Sequence, residues 1–223
     1  MSAVPFYAPH PTCQIPDLDA KFAELFGRRT LGTYVMVGAY DGQSFGPTSC
    51  LADLGWRGVE IEPVPEFALA CTLRHANNNV RVVPCAVGAD IGPIELHLGG
   101  TLTTTSARQV EVYEQLPWAK GNHKGETIVV QQLRLDYVLA AMRIAHEFDL
   151  LVVDVEGAEL EVFAGLNESW RPKVMIVEIE DEHPDLAKFE DVKARAVELR
   201  KTIERRGYRE FWRDPINTIF TRL

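Results

Sequence analysis

The stretch Tyr34-Val35-Met36-Val37-Gly38-Ala39-Tyr40-Asp41-Gly42 limits, more than any other, what this chain can fold into. Tyr34 to Val37 form an unbroken apolar or aromatic run, the pattern of a strand buried on both faces of a parallel sheet. The run breaks at Gly38, which permits a sharp turn and leaves no side chain in the way of a ligand. Gly42 lets the following helix pack close to the strand. About 20 residues further on, Arg57-Gly58-Val59-Glu60-Ile61-Glu62-Pro63 reads as a second strand that ends in an acid. Strand, glycine-rich turn, helix, then a strand ending in a carboxylate is the pattern of a nucleotide-binding α/β half. The glycines admit the ligand, and the carboxylate of Glu62 accepts hydrogen bonds from two ribose hydroxyls.

The turn also selects among nucleotides. A G-x-G-x-x-G dinucleotide fingerprint counted from Gly38 needs glycines at 40 and 43, where this chain has Tyr40 and Gln43. No Gly-Lys-Ser/Thr triplet follows the strand, so a phosphate-cradling loop is absent as well. A nucleoside with a short zwitterionic tail, as in S-adenosylmethionine, suits the turn better than a pyrophosphate. Further along, Pro84-Cys85-Ala86-Val87-Gly88 admits two readings: small residues against which an adenine ring lies, or an ordinary turn.

The 223 residues suit one α/β domain, and 46% hydrophobic residues supply a full core. A net charge of -9 argues against a broad nucleic-acid or anionic-membrane surface. No apolar run approaches the ~20 residues that span a bilayer. Cys13, Cys50, Cys71 and Cys85 are widely spaced with no C-x-x-C pair, which reads as reduced thiols in a cytoplasmic protein. The start lacks a basic region followed by an apolar run, so no secretory signal is expected.

Residues 1–16 carry four prolines and read as a frayed or draped arm, with an arm that closes over a substrate as the other reading. Residues 17–26 have helical apolar spacing. With the arm they form an N-terminal unit over 1–30, ahead of one domain over 31–223. Helices are expected over 48–54, 66–75, 108–116, 135–146, 158–167 and 186–206, and strands over 80–83, 94–98, 127–130, 148–154 and 173–178. Segments 94–98 and 127–130 should pair, and 208–212 with 217–221 should close the chain as a hairpin. Residues 99–125 settle into no period, and so long a connection is usually functional or disordered. Tyr113 and Trp118 within it suggest a mobile cover whose rings stack on an acceptor.

In an open parallel sheet, ligands bind at the carboxyl ends of strands. Gly38, Glu62, Asp154 and Glu178 all stand there. Asp154 is either an active-site group or the cap of the following helix, with Glu159 in that helix's first turn. Glu156 lies beside it. His123 and His183 lie on loops at the expected mouth. The acids could bind a divalent metal through oxygen, and their spacing leaves the metal unassigned.

Together, Val37-Gly38-Ala39-Tyr40-Asp41-Gly42, Gly55 through Pro63, Leu133-Arg134-Leu135-Asp136, Asp154-Val155-Glu156-Gly157-Ala158-Glu159 and Arg171 through Glu178 resemble the FkbM-type S-adenosylmethionine-dependent methyltransferases. The first motif carries Met36 and Tyr40 where that family often has Asp and Asn. The resemblance implies a single-domain, Rossmann-like, mostly parallel seven-stranded sheet with an antiparallel last strand and an inserted hairpin and loop. It also implies S-adenosylmethionine as donor and O-methylation of a sugar, glycan or other small-molecule hydroxyl. Gly38, Ala39, Asp41, Gly42, Glu62, Ala86, Val87 and Asp154 would hold the donor, and Asp154, Glu156 and Glu178 would serve the chemistry. A nicotinamide-dependent oxidoreductase and a non-catalytic nucleoside-binding module are the competing readings. No nucleic-acid partner and no membrane insertion are expected, and the oligomeric state is left open.

Overall fold

The computed structural model describes residues 5–186 and 188–223. The first four residues of the expected arm lie outside the described residues. Strand β1, Thr33–Val37, forms on the apolar run. It is flanked by β2, Arg57–Ile61, and β7, Leu150–Val153, both parallel to it. Outside them lie β3, Val80–Val83, and β8, Val174–Glu178, again parallel. The closing hairpin is β9, Tyr208–Arg213, and β10, Asn217–Arg222; β10 inserts between β8 and β9, antiparallel to both. The order is β3-β2-β1-β7-β8-β10-β9. The chain builds outward from β1 to β3 and then crosses back to β7. The switch point, where such sheets open a crevice for ligands, therefore lies between β1 and β7.

Alternation along β1 sends Tyr34 and Met36 to one face and Val35 and Val37 to the other. The Val face packs under α5 (Leu135–Ala141), α6 (Glu159–Ala164) and α7 (Glu190–Arg205). The Tyr34 face packs under α1 (Leu18–Phe26), α2 (Ser49–Asp53) and α3 (Pro65–Arg74). Helix α5 ends five residues before the expected 146, where Arg143 turns left-handed at φ 53°. Helix α7 starts at 190 rather than 186, because Phe189 is still extended.

The described part of the arm is docked. Tyr7 is buried and its hydroxyl donates to the Gly27 carbonyl at 2.7 Å. Gln14 N–H donates to the Phe45 carbonyl and Phe45 N–H to Thr12 Oγ1, which ties the arm to the glycine-rich turn. A second sheet, β4-β6-β5, sits beside the first. In it β5 (Gly92–His97) pairs antiparallel with β6 (Thr127–Leu133), as the sequence predicts. Ala86–Val87 form a short strand, β4, parallel to β6 at Gln132 and Leu133, so this segment is not merely a turn. All four cysteines are free. Among the described residues no helix is long and apolar enough to cross a membrane.

Candidate active site

Gly38 ends β1 at φ 87°, in the left-handed region that favours glycine. A Cβ built there would lie 1.7 Å from the Asp154 carbonyl oxygen. The close approach of the backbone after β7 thus demands glycine here by itself, apart from the expected role of clearing a path for a ligand. Gly42, at φ 81°, is pressed against Cys71 of α3 and His75 at that helix's C-terminal cap rather than against the following helix α2. Asp41 builds the turn around Gly42: its carboxylate accepts from the backbone N–H of Gln43 and Ser44 and from the Ser44 hydroxyl.

A cleft opens over the ends of β1, β2, β7 and β8. Of the residues expected around the donor, Gly38, Glu62, Ala86, Val87 and Asp154 line it, whereas Ala39, Asp41 and Gly42 do not. Tyr40, Phe67 and Gln14 add to its wall, and the Tyr40 and Phe67 rings lie 4.4 Å apart. Glu62 Oε2 accepts from Tyr40 N–H at 2.9 Å and Oε1 from Val64 N–H at 2.8 Å. These bonds fix the carboxylate and leave each oxygen a further lone pair. Burial outweighs the two hydrogen bonds and pushes its pKa up to about 7. The described residues lining the cleft include no Lys, Arg or His. That donor set fits a cationic sulfonium nucleoside and lacks the cations a polyphosphate needs.

Beyond Glu62 the cleft ends in carboxylates. Asp154, Glu156 and Glu178 each place an oxygen within 4.8 Å of the others. Glu156 stands at φ 56°, a strained position for a non-glycine residue of the kind found at functional sites. Its carbonyl accepts from Thr104 Oγ1 at 2.7 Å, and its carboxylate accepts from the buried Tyr113 hydroxyl. Burial raises every acid here, and mutual repulsion adds to it for all but Asp154. Asp154 is pushed up to about 6, its hydrogen bond with Glu178 opposing the rise. Glu156 and Glu178 go well above the usual range. Glu159 reaches about 7 and Glu180 about 8. These groups hold protons near neutrality, so the cluster can both donate and accept them. Its oxygens are also the type a divalent cation takes.

Asp154 does not cap α6. No side chain caps that helix; Glu159, its first residue, instead ties down the turn ahead of it, its Oε1 accepting from the N–H groups of Val155 and Gly157 at 3.1 Å each. Residues 99–125 are built around a packed cluster of Val112, Tyr113, Leu116 and Ala119 with Leu186, on helix α4, Ala107–Tyr113, and the residues after it. Tyr113 is buried and its ring stacks with His123, so it is not free to receive a sugar face. Trp118 is 48% exposed, with its indole N–H on Asp185. His123 bonds to the Leu102 carbonyl and His183 accepts from the Asp185 N–H; neither lines the cleft. Residues 101–105 do line it, together with Glu62. Sequence reasoning missed the partnership of Tyr113 with Glu156, for which 43 residues of separation leave no local signal.

A family model described as methyltransferase FkbM domain matches residues 37–210. No curated protein matches the sequence. Among solved structures, a fibrillarin pre-rRNA processing protein of Methanococcus jannaschii is 14% identical, with 86% of this chain and 67% of that one covered at a TM-score of 0.47. A TehB-like SAM-dependent methyltransferase from Corynebacterium glutamicum is 10% identical, covering 92% and 88% at 0.44. A precorrin 8W decarboxylase from Methanobacterium thermoautotrophicum is 16% identical, covering 98% and 97% at 0.41.

Proposed function

The chain belongs to the methyltransferase FkbM domain family, an S-adenosylmethionine-dependent enzyme family, and from that membership we propose that it O-methylates a hydroxyl of a sugar, glycan or other small metabolite. The observation that carries this reading is the convergence of Asp154, Glu156 and Glu178 in a cleft whose described lining holds no cationic side chain. S-adenosylmethionine supplies an activated methyl group when bound. Glu62 serves the ribose hydroxyls with the lone pairs its backbone bonds leave free. Ala86 and Val87 present an apolar wall to a flat base. Asp154, at the end of the strand beside Gly38, holds the acceptor hydroxyl and takes its proton as the new bond forms. A hydroxyl is almost fully protonated at neutral pH, so it needs such a base. Glu178 bonds to Asp154 and Glu156 is steadied by Tyr113, and both keep the proton inside the cluster.

The test has two arms. S-adenosylhomocysteine should raise the melting temperature of the protein and NAD should not. Glu62→Ala should weaken that binding by ~1.5–3 kcal/mol, the usual worth of a hydrogen bond to a charged group. Mass spectrometry against glycosides and hydroxylated metabolites should then find oxygen-linked methyl products. On such an acceptor Asp154→Asn should cut turnover about 10²–10⁴-fold with S-adenosylhomocysteine affinity retained. Methyl transfer only to nitrogen or carbon, or near-normal turnover by Asp154→Asn, would remove the reading. Loss of activity with EDTA and recovery with magnesium would give the three acids a metal to hold instead of a proton.

A further inference from the structure

Behind the glycine-rich turn, on the sheet face covered by α3, lies a buried polar network that the transfer chemistry does not use. At its centre is Glu60 of β2. Its Oε1 accepts from the Tyr34 hydroxyl at 2.9 Å and from Thr48 Oγ1 at 3.3 Å. Its Oε2 accepts from the Cys71 thiol at 2.8 Å and lies 3.1 Å from His75 Nε2. Glu60 is the register partner of Met36. The buried carboxylate of this layer therefore comes from β2, one strand away from the apolar Met36.

The charge on His75 follows from its partners. Nε2 faces two acceptors, the Gly42 carbonyl at 2.9 Å and the Glu60 carboxylate. Nδ1 faces Asn78 Oδ1 at 3.1 Å. The other end of that amide is committed, because Asn78 Nδ2 donates to the Ala52 carbonyl at 3.0 Å. With the amide fixed in this sense, both ring nitrogens must donate, and the ring is an imidazolium facing the Glu60 carboxylate. Burial alone would lower its pKa; the bonds to Glu60, Asn78 and Gly42 reverse that and raise it. A buried charge is tolerated when it is paired and hydrogen-bonded in this way.

We propose that His75 is a positioning residue for the methyl donor: anchored by Glu60, its Nε2–H holds the Gly42 carbonyl and so sets the turn that carries Tyr40, Ser44 and Phe45 into the cleft. The inference rests on the donor lying in that cleft, as read above. The fit leaves no slack, since a Cβ at Gly42 would stand 2.7 Å from His75 Nε2 and 2.9 Å from Cys71 Sγ. Residues of α3, the helix that His75 caps, brace the same turn. Phe67 packs on Tyr40, and Arg74 Nε donates to Gln43 Oε1 at 2.8 Å. Helix α3 thus backs the turn along its length, and His75 bonds the turn's own backbone.

Three variants of the full chain test this, each measured for melting temperature and for S-adenosylhomocysteine affinity by calorimetry. His75→Leu removes the donor to Gly42 and should raise Kd about tenfold or more, as loss of a charge-assisted hydrogen bond does. His75→Gln restores a neutral donor and should bring Kd back to within about threefold of wild type. Tyr34→Phe removes a bond to Glu60 without touching Gly42; it should lower the melting temperature and leave Kd unchanged. An unchanged Kd in His75→Leu overturns the proposal, as does a Kd that follows melting temperature in all three. If His75→Leu does not fold, His75→Asn, whose shorter amide falls short of the Gly42 carbonyl, takes its place and amide hydrogen exchange across residues 39–46 decides. It should quicken in His75→Asn and not in His75→Gln or Tyr34→Phe, and equal rates overturn the proposal. Should Glu62→Ala leave affinity intact while His75→Leu weakens it, the placement of the ribose fails and the role of His75 stands.

Discussion

At the scale of single residues, position was easier to read than reason. Gly38 stands out in the sequence as the break after a buried run, yet what a side chain there would strike first is the Asp154 backbone. That contact changes what a substitution should do. Gly38→Ala introduces a Cβ into backbone 1.7 Å away and a side chain at φ 87°. It should therefore destabilise the fold itself, by more than the ~1 kcal/mol cost usual for a substitution, and chemical denaturation should show it without any ligand present. A full-stability Gly38→Ala that fails only to bind S-adenosylhomocysteine would return Gly38 to the ligand. Glu62 was legible because a strand followed by an acid and a proline is a local pattern. The network of Glu60 and His75 was not, because its members come from β1, β2, α2 and α3 and meet only after the sheet has formed.

At the scale of elements, the strands and their pairing were legible, and the long connection was not. Strands announce themselves through apolar runs of four to six residues, and the pairing of β5 with β6 follows from their alternation. Residues 99–125 have no such period, because their order comes from tertiary contact. Val112, Leu116 and Ala119 gain a core only when Leu186, from the loop before α7, closes over them. A packed element and a mobile cover make different predictions. Leu116 is fully buried, so Leu116→Ala should cost the ~2–5 kcal/mol typical of a core Leu truncation. Urea unfolding measures it, and a loss below about 0.5 kcal/mol, the size of a surface change, would mean that the segment is loosely held. Excising 101–124 outright would remove both this core and the wall of the donor cleft, so point changes separate the two roles better.

At the scale of the whole molecule, the architecture follows from the order of strands and from the switch point between β1 and β7, where the acids of several strand ends collect. That collection sets a property no single residue carries. Glu62, Glu159 and Glu180 have native pKa values of about 7, 7 and 8, against an unfolded value near 4.5. Between those limits the native state binds more protons than the unfolded chain, so stability falls as pH rises. His75, whose native pKa is raised, acts in the same direction: its stabilising charge is present at low pH and lost on the way up. Asp41 and Asp149, whose values are lowered, lose their contribution only in strong acid, outside this window. His123 and His183, also lowered, oppose the trend only below about 6.5. Between pH 6.5 and 8.5 the resolved shifts therefore point one way, and the ligand-free protein should melt at progressively lower temperature across that range. A cation bound in the cleft favours the ionised acids, so saturating S-adenosylmethionine should flatten the slope, whereas neutral adenosine should leave it steep. Calorimetric melting in buffers matched for ionisation enthalpy would decide the matter, and a flat or rising profile without ligand would mean that the cluster is hydrated and its acids titrate as ordinary surface carboxylates.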